Sequence, residues 1–168
     1  MNVADAIKAR RSIRKYKGDP VPEADIQKIL EAAMHAPSAH NTRPWEFVVV
    51  TNEEMRRKFA HLHPYAKHAA QSPVLIVVCA LPETQQRFGA GFFPQDCAAA
   101  TQNILLMAEE LGYGACWCGV YPHERLMNPI REALGVTSTP FCLITLGVAD
   151  EAPAARGRFE EQKVKYIK

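Results

Sequence analysis

A hydroxyl group set among three guanidinium groups stands near the start of the chain, at residues 10–14. Arg10, Arg11 and Arg14 flank Ser12, and Ile13 separates Ser12 from Arg14. Guanidinium groups carry a fixed positive charge and donate paired hydrogen bonds that match phosphate oxygens. These residue types at this spacing predict an anchor for a phosphate group. A short basic run is also what a solvated helix end looks like, so the segment is informative only together with a second one.

The second segment follows about one helix later, at residues 36–45 (APSAHNTRPW), and leads into an apolar stretch. Pro37 and Pro44 restrict the backbone, and the side chain of Asn41 can both donate and accept hydrogen bonds. Asn41 alone would more often be a turn residue. However, a phosphorylated heterocyclic cofactor needs both a phosphate anchor and a side chain that can hydrogen-bond to the amide-like edge of its ring.

Composition indicates a globular protein of one domain, residues 1–168. The 20 basic and 18 acidic side chains leave a net charge of +2, which argues against binding nucleic acid through bulk charge. No apolar run reaches membrane-spanning length, and the N-terminus lacks a hydrophobic signal segment. The five cysteines are odd in number and three of them lie in apolar segments, which indicates reduced, buried thiols. We therefore expect a cytoplasmic protein with no membrane partner and no nucleic-acid partner.

Apolar periodicity and capping residues predict one continuous alternation of helices and strands. Asn2 can cap a first helix with Asp5 at its third position, and Pro22 suits the first position of a second helix. The segment 74–80 is too apolar to face water on either side, which predicts a central strand. The other predicted elements are helices at 53–61, 94–111 and 122–135, strands at 45–51, 115–121 and 141–147, and a loop or short helix at 82–93.

The helix predicted at 94–111 is apolar nearly all the way round. A helix that is apolar on every face must be buried on every face. In a domain of this size, we expect a second subunit to supply part of that burial. Residues 149–168 are rich in Pro, Ala, Gly and charge, so they are interpreted as an arm that wraps a partner.

With the two opening segments in this order, the chain resembles the nitroreductase family of flavin mononucleotide (FMN) enzymes. That family opens with R-x-S-x-R/K and continues with P-S-x-x-N-x-Q-P-W. The resemblance covers essentially the whole chain. Residues 95–106 are similar to the family's long central helix, and residues 111–122 are similar to the L-G-x-G-x-x-W-x-G segment that follows it. Residues 140–148 are similar to the family's last core strand, and residues 156–159 are similar to its basic C-terminal element. Arg43 stands where Gln is commonest in the family, and Cys118 stands where the family varies widely.

The resemblance implies an α+β fold in which helices flank a central, mostly antiparallel sheet. It also implies an intertwined homodimer in which residues 149–168 reach the partner subunit. In the family the flavin lies at the subunit interface. The basic element of one subunit and the P-S segment of the other therefore share one cofactor.

The residues that match the family motifs are the predicted cofactor site. By this resemblance, the two basic elements hold the phosphate and ribityl end of FMN, and Arg14 lies beside the flavin N1/O2 edge. Asn41 hydrogen-bonds to the pyrimidine edge of the flavin, and backbone groups near Gly119 contact the ring. The full predicted cofactor set is Arg10, Arg11, Ser12, Ile13, Arg14, Pro37, Ser38, Asn41, Cys118, Gly119, Arg156 and Arg158. The predicted substrate contacts are Arg43, Phe92 and Phe93.

The implied activity is that of an NAD(P)H-dependent oxidoreductase with a ping-pong mechanism. Hydride passes from NADH or NADPH to flavin N5, and electrons then pass to a nitroaromatic, a quinone or a similar acceptor. No protein side chain is predicted to act as a general acid. The same scaffold also carries dehalogenation, and an FMN-binding or regulatory module with slow, incidental reductase activity is a further alternative.

No metal site is predicted. His61, His63 and His68 could suggest one, but no cysteine or carboxylate completes a zinc-like spacing with them. A polar helix surface is the preferred interpretation of these histidines. Cys116 and Cys118 fall on one face of a predicted strand, where a structural role is preferred to redox chemistry.

Overall fold

Four antiparallel strands form the sheet at the centre of the computed structural model, which describes residues 1–88, 91–154 and 157–168. The strands are β1 (Trp45–Val50), β2 (Val74–Ala80), β3 (Gly114–Gly119) and β4 (Thr139–Gly147). Their order is β1–β2–β4–β3, so β2 and β4 are central and β1 and β3 are the edges. The predicted α+β class with a mostly antiparallel sheet is confirmed.

In the described part of the chain, five α-helices flank the sheet. The side chain of Asn2 accepts a hydrogen bond from the backbone of Asp5 and caps the first helix, as predicted. Gly135, with φ of 67°, ends the last helix in the left-handed conformation. None of the described helices has both the length and the apolar composition needed to cross a membrane. The helices are α1 (Val3–Ala9), α2 (Glu23–Met34), α3 (Glu53–Leu62), α4 (Phe93–Glu110) and α5 (Glu124–Leu134).

Strand β2 separates two helical layers. All of its residues are buried, so the predicted central strand is confirmed. Ile76 and Val78 face a core formed with α2 and α4, whereas Leu75 and Val77 face a second core formed with α3 and α5. This alternation follows from the two-residue period of an extended chain. One strand can therefore direct side chains to sites on either face of the sheet.

Several predicted boundaries are shifted. Strand β3 ends at Gly119 rather than two residues later, because the next two N–H groups both bond to the carbonyl of Phe141 and the chain leaves the ladder. Helix α5 begins at Glu124, so Pro122 precedes the helix instead of starting it. Helix α2 begins at Glu23, so Pro22 is its N-cap residue rather than its first helical residue.

Helix α4 is not buried on every side within one chain. Its sheet-facing side, including Ile104 and Leu105, is buried. Leu106 and Met107 are only half-buried and line a groove of about 280 Å³ against α1. Helix α1 itself leaves Val3 largely exposed. An apolar surface therefore remains uncovered along α1 and α4.

After β4 the chain pairs with the N-terminal segment and then leaves the core. Tyr16 and Ala149 form an isolated antiparallel bridge, and the N–H of Asp150 donates to the carbonyl of Lys15 at 2.9 Å. Beyond that point, the described residues form one short 3-10 turn, Glu161–Lys163. Three apolar side chains of this arm are more than four-fifths exposed, namely Phe159, Tyr166 and Ile167.

Candidate cofactor site

The predicted basic segment lies against the outer edge of β3. Ser12 and Ala115 form a parallel bridge, and the N–H of Ile13 donates to the carbonyl of Ala115 at 3.0 Å. Ile13 is buried over Gly114, where an added Cβ would lie only 2.7 Å from the Ile13 side chain. A side chain at Gly114 would therefore push the segment away. Because side chains alternate along an extended chain, Ser12 and Arg14 are exposed on the opposite side.

Tyr16 holds this segment from the interior. Its buried hydroxyl donates to the carbonyl of Ile13 at 2.6 Å and shares a hydrogen bond with the hydroxyl of Thr145 at 2.7 Å. Burial raises the pKa of Tyr16 well above its ordinary value. The hydroxyl therefore stays protonated and can keep donating.

Arg11 serves the fold of this region. Its guanidinium donates to the carbonyls of Lys8 and Arg10, at 2.6 and 2.7 Å. A longer hydrogen bond of 3.4 Å reaches the carbonyl of Ala154, at the start of the arm. Most of its donors are thus directed at backbone oxygens of its own chain.

The other two arginines of the segment keep their donors available. The backbone N–H of Arg14 donates to the carboxylate of Glu151 at 2.5 Å, which fixes the main chain at that position. The side chains of Arg10, Ser12 and Arg14 form no hydrogen bond or ion pair with any residue that the structure describes. Two guanidinium groups and one hydroxyl therefore surround a rigid backbone and are free to bind an anion.

The second predicted segment turns sharply before β1. His40, Asn41 and Arg43 have φ values of 52°, 54° and 46°. This left-handed conformation costs a non-glycine residue roughly 1–2 kcal/mol, so it persists only where the surroundings impose it. Within the loop, the hydroxyl oxygen of Ser38 accepts a hydrogen bond from the N–H of Arg43 at 2.9 Å. The side chains of Pro37 and Asn41 are exposed.

Two buried side chains from distant elements support this loop. Asp96, in the first turn of α4, accepts hydrogen bonds from the N–H of Ala39 at 3.1 and 3.2 Å. Gln85 donates to the carboxylate of Asp96 at 2.6 Å and to the hydroxyl of Thr42 at 2.9 Å. The hydroxyl of Thr42 in turn donates to the carbonyl of Ala39 at 2.8 Å. These bonds close a ring around the strained backbone.

Sequence reasoning missed both of these supporting residues. Asp96 and Gln85 are 8% and 1% exposed, and Oε1 of Gln85 has no hydrogen-bond partner among the described residues. An unpaired buried acceptor costs roughly 1–3 kcal/mol, so this polar network is not simply a stabilising feature. The only signal in the sequence was an acidic residue near the start of an apolar helix. That pattern is usually explained by the helix dipole.

The last residue of β3 leaves open space at the end of the sheet where the loop also lies. The carbonyl of Gly119 accepts a hydrogen bond from Nε2 of His63 at 2.8 Å. An added Cβ at Gly119 would meet nothing within 4 Å, so a planar ring could lie against this backbone. The side chain of Cys118 faces away from that space, into the core formed with α3 and α5.

Within one chain, the basic segment and the strained loop lie at diagonally opposite corners of the sheet. The basic segment pairs near the start of edge strand β3, whereas the loop precedes the start of the other edge strand, β1. The antiparallel register places these two strand starts at opposite ends of the sheet. The separation is about 17 Å along β3 and about 14 Å across three strand spacings. One chain therefore does not bring the two halves of the predicted site together.

The remaining predicted contacts differ in their surroundings. Phe92 is 45% exposed, whereas Phe93 packs in the core with its ring edge-to-face against Tyr121 at 5.2 Å. Arg158 is exposed on the C-terminal arm. Arg156 lies outside the described residues.

The polar surface predicted for the histidines is wrong for two of the three. His61 is exposed, but His63 and His68 are 1% and 9% exposed. The reason is that the chain after α3 forms the 3-10 turn Lys67–Ala70, which packs into the α3/α5 core. Local periodicity could not reveal this, because the turn is covered by residues far away in sequence.

Cys116 and Cys118 face the same side of β3, as predicted, and His68 lies beside them. A hydrogen bond from the Cys118 thiol lowers the pKa of Cys116, and His68 and the charge of Arg14 act in the same direction against the effect of burial. The same hydrogen bond and burial raise the pKa of Cys118. The pair therefore contains one readily ionised sulfur and one that keeps its proton.

Comparison with known proteins identifies the family of this chain. The sequence pattern of the nitroreductase family matches residues 7–63 and 60–148. The whole chain is 46% identical to a Methanothermobacter thermautotrophicus protein provisionally named NADH dehydrogenase/NAD(P)H nitroreductase, and it covers 88% of that protein.

Solved structures share the fold. The FMN-dependent nitroreductase of Clostridium difficile R20291 superposes with a TM-score of 0.89 at 31% identity, over 98% of this chain and 99% of that one. The NADPH:FMN oxidoreductase of Vibrio harveyi superposes with a TM-score of 0.82 at 22% identity, over 100% of this chain and 80% of that one. At that identity the likeness concerns the fold alone. The family pattern and the relative that is 46% identical together show that this chain belongs to the nitroreductase family.

Proposed function

We propose that this chain is an FMN-dependent oxidoreductase that takes hydride from NADH or NADPH and reduces a small acceptor, such as a nitroaromatic or a quinone, by a ping-pong mechanism. Its family and the names of its relatives support this class of activity. The observation that carries the proposal is that the chain has both elements of a flavin site. One is a rigid backbone with two free cations, Arg10 and Arg14, and the other is a strained loop that exposes the amide of Asn41. When bound, FMN supplies the centre that accepts hydride and passes electrons on.

The phosphate end of FMN suits the basic segment. Arg10 and Ser12 offer charged and neutral donors on a main chain that is bonded to β3. A phosphate monoester accepts paired hydrogen bonds from guanidinium groups. Arg158, on the exposed arm, and Arg156 add positive charge to the same end of the cofactor.

The ring of FMN suits the remaining groups. Arg14 would supply a fixed cation beside the bound ring, and such a charge would stabilise the negative charge of the reduced ring and favour acceptance of hydride. The amide of Asn41 can donate to and accept from the pyrimidine edge. Gly119 leaves room for the flat face of the ring. The chain contributes orientation and charge, and no side chain is assigned a proton transfer.

Two copies of the chain would share each cofactor. The basic segment and the loop occupy opposite corners of one sheet, so a second copy is the simplest source of a loop beside the basic segment. The apolar groove between α1 and α4 offers a surface for such a copy. The exposed apolar side chains of the arm, residues 149–168, offer a second contact. We therefore include an intertwined homodimer in the proposal.

The compartment that suits this protein is the cytoplasm. The cysteines at positions 79, 97, 116, 118 and 142 are all free and buried. Free thiols of this kind persist where the surroundings are reducing. A nicotinamide donor and a diffusible acceptor fit the same compartment.

An anaerobic assay of the FMN-loaded protein tests the proposal. Bleaching of the flavin by NADH and by NADPH is followed before any acceptor is added. We expect at least one nucleotide to reduce the flavin alone, and a nitroaromatic or a quinone to reoxidise it after the oxidised nucleotide is removed, as a ping-pong mechanism requires.

Two results would contradict the proposal. Failure of both nucleotides to reduce bound FMN would favour a flavin-binding module without oxidoreductase function. Release of FAD instead of FMN on heating would contradict the cofactor. A halogenated phenol in the acceptor panel separates a dehalogenase, which would release halide, from a nitroreductase or quinone reductase.

A further inference from the structure

Three potential metal ligands meet in the core between β3 and the chain that follows α3. Cys116 and Cys118 are two residues apart in β3, so their side chains leave the same face of the sheet. His68 lies opposite them, in the 3-10 turn Lys67–Ala70. Its Nε2 is 3.7 Å from the sulfur of Cys118, and the three ligand atoms lie within 4.8 Å of one another. All three side chains are buried.

One of these separations matches an edge of a metal coordination polyhedron. Metal–sulfur bonds of about 2.3 Å and metal–nitrogen bonds of about 2.0 Å at tetrahedral angles put sulfur and nitrogen about 3.6 Å apart. The distance between Cys118 and His68 is close to this value. The backbone carbonyl oxygen of Tyr65 lies 3.9 Å from the Cys118 sulfur.

Ligand chemistry and charge together select the ion. Thiolate and imidazole ligands favour zinc and copper(I) over magnesium and calcium. A divalent ion that displaces the remaining thiol proton would be held by two thiolates and a neutral imidazole, a complex with no net charge, which avoids the cost of an unpaired buried charge. On these grounds we propose that His68, Cys116 and Cys118 bind one zinc ion per chain.

Such an ion would have a structural role. It would join the segment that follows α3 to the end of β3. The same segment already reaches that strand through His63, whose Nε2 donates to the carbonyl of Gly119 and whose Nδ1 accepts from the N–H of Tyr65 at 3.2 Å. The ion would therefore brace the strand end that leaves open space for a planar ring. The burial of all three ligands agrees with a structural role rather than with a catalytic one.

Zinc retention by the tag-free, full-length protein loaded with FMN tests the site. The protein is stripped with a chelator, incubated with zinc chloride and desalted, and zinc per chain is measured by mass spectrometry. We expect one zinc per chain in the unmodified protein, and a drop of roughly tenfold or more in Cys116→Ser, Cys118→Ser and His68→Gln. The matched controls are Cys142→Ser, a buried free cysteine elsewhere, and His61→Ala, an exposed histidine; both should retain zinc.

Cobalt(II) gives a measurement that does not depend on how well a variant folds. We expect the unmodified protein to show thiolate-to-cobalt charge-transfer absorption with one equivalent of cobalt, and zinc to abolish it. Absence of both retained zinc and this absorption would overturn the site. Equal zinc retention by the three folded ligand variants would overturn it as well. Retention of copper(I) without zinc would overturn the identity of the ion.

Discussion

The basic segment beside β3 and the loop before β1 present groups for one cofactor, but different interactions hold them in place. The basic segment is extended, and backbone hydrogen bonds through Ser12 and Ile13 tie it to the edge of the sheet. The loop contains left-handed residues and depends on the buried side chains of Asp96 and Gln85.

Because of this difference, substitutions in the two regions should affect cofactor affinity and protein stability differently. In the basic segment, the exposed side chains can be removed without breaking the backbone ladder. In the loop, removal of a supporting side chain leaves a buried donor unpaired and releases a strained backbone. Substitutions in the first region should therefore change cofactor affinity with little change in stability. Substitutions in the second region should change both.

The largest effect is expected from removal of residues 159–168, which tests whether the two regions meet across two chains. The deletion keeps Arg158 but removes exposed apolar side chains that include Phe159 and Tyr166. We expect the dimer, the bound FMN and the activity to be lost together, because each site would lack the partner's loop. Light scattering read beside flavin absorbance measures this. Lys163→Ala, a control on the same arm, should keep the dimer, the bound FMN and the activity. A monomeric deletion variant that retained FMN and turnover would refute the shared site.

The next effect is expected from Arg10→Ala and Arg158→Ala. Each change should weaken FMN binding by about 1.5–3 kcal/mol, the usual range for a hydrogen bond to a charged group. The free energy of unfolding should stay nearly constant, because neither side chain belongs to an apolar core. Flavin fluorescence titration measures the affinity. Arg57→Ala removes an exposed arginine on α3 and should bind FMN normally, so unchanged affinity in both test variants would move the phosphate site elsewhere.

A smaller effect on folding is expected from Asp96→Ala. The change leaves the N–H of Ala39 without its acceptor and the amide of Gln85 with only the hydroxyl of Thr42, and should lower the free energy of unfolding by about 2 kcal/mol. FMN binding should weaken in parallel because the loop loses its support. Urea unfolding of the apoprotein measures the first effect. The control Glu109→Ala, on the same helix, should change the free energy of unfolding by less than about 0.5 kcal/mol. An Asp96→Ala protein with unchanged stability would show that the loop conformation does not depend on Asp96.

The smallest effect is expected from a pair of changes at Asn41. Asn41→Ala should lower the free energy of unfolding by about 1 kcal/mol, because alanine tolerates the left-handed conformation less well. Asn41→Gly should be at least as stable as the unmodified protein, because glycine adopts this conformation freely. Both variants should bind FMN more weakly if the amide reads the ring. If Asn41→Gly bound FMN with full affinity, the Asn41 side chain would not contribute to FMN binding, and only the backbone conformation at this position would matter.

The layers of the fold could be predicted from the sequence because they depend on local patterns. The strand Val74–Ala80 is apolar at each position, and burial on both faces follows directly. Asn2 and Gly135 mark helix ends through bonds and backbone angles that involve only near neighbours. The limits of that approach appear at β3, which ends at Gly119 because the chain bonds there to a residue of β4.

The support of the site could not be predicted in the same way. Asp96 and Ala39 are 57 residues apart, and nothing near either residue indicates the other. The left-handed backbone at His40 lies next to that contact, and the His40 ring stacks on Phe88, which is 48 residues away in sequence. His68 and Cys118 are 50 residues apart, so the histidine was interpreted as a surface residue and the cysteine as part of a structural pair with Cys116.

The sequence by itself determined the available chemistry: cations around a hydroxyl, an amide in a proline-bounded loop, and alternating apolar segments that form two helical layers. Only the tertiary structure decided that Arg11 reaches the carbonyl of Ala154, that Asp96 supports the loop, and that the loop and the basic segment lie at opposite corners of the sheet. The physical reason is range. Helices, caps and strand faces follow from residues a few positions apart. Which distant side chains meet depends on the order and register of the strands, and many orders are compatible with the same local pattern.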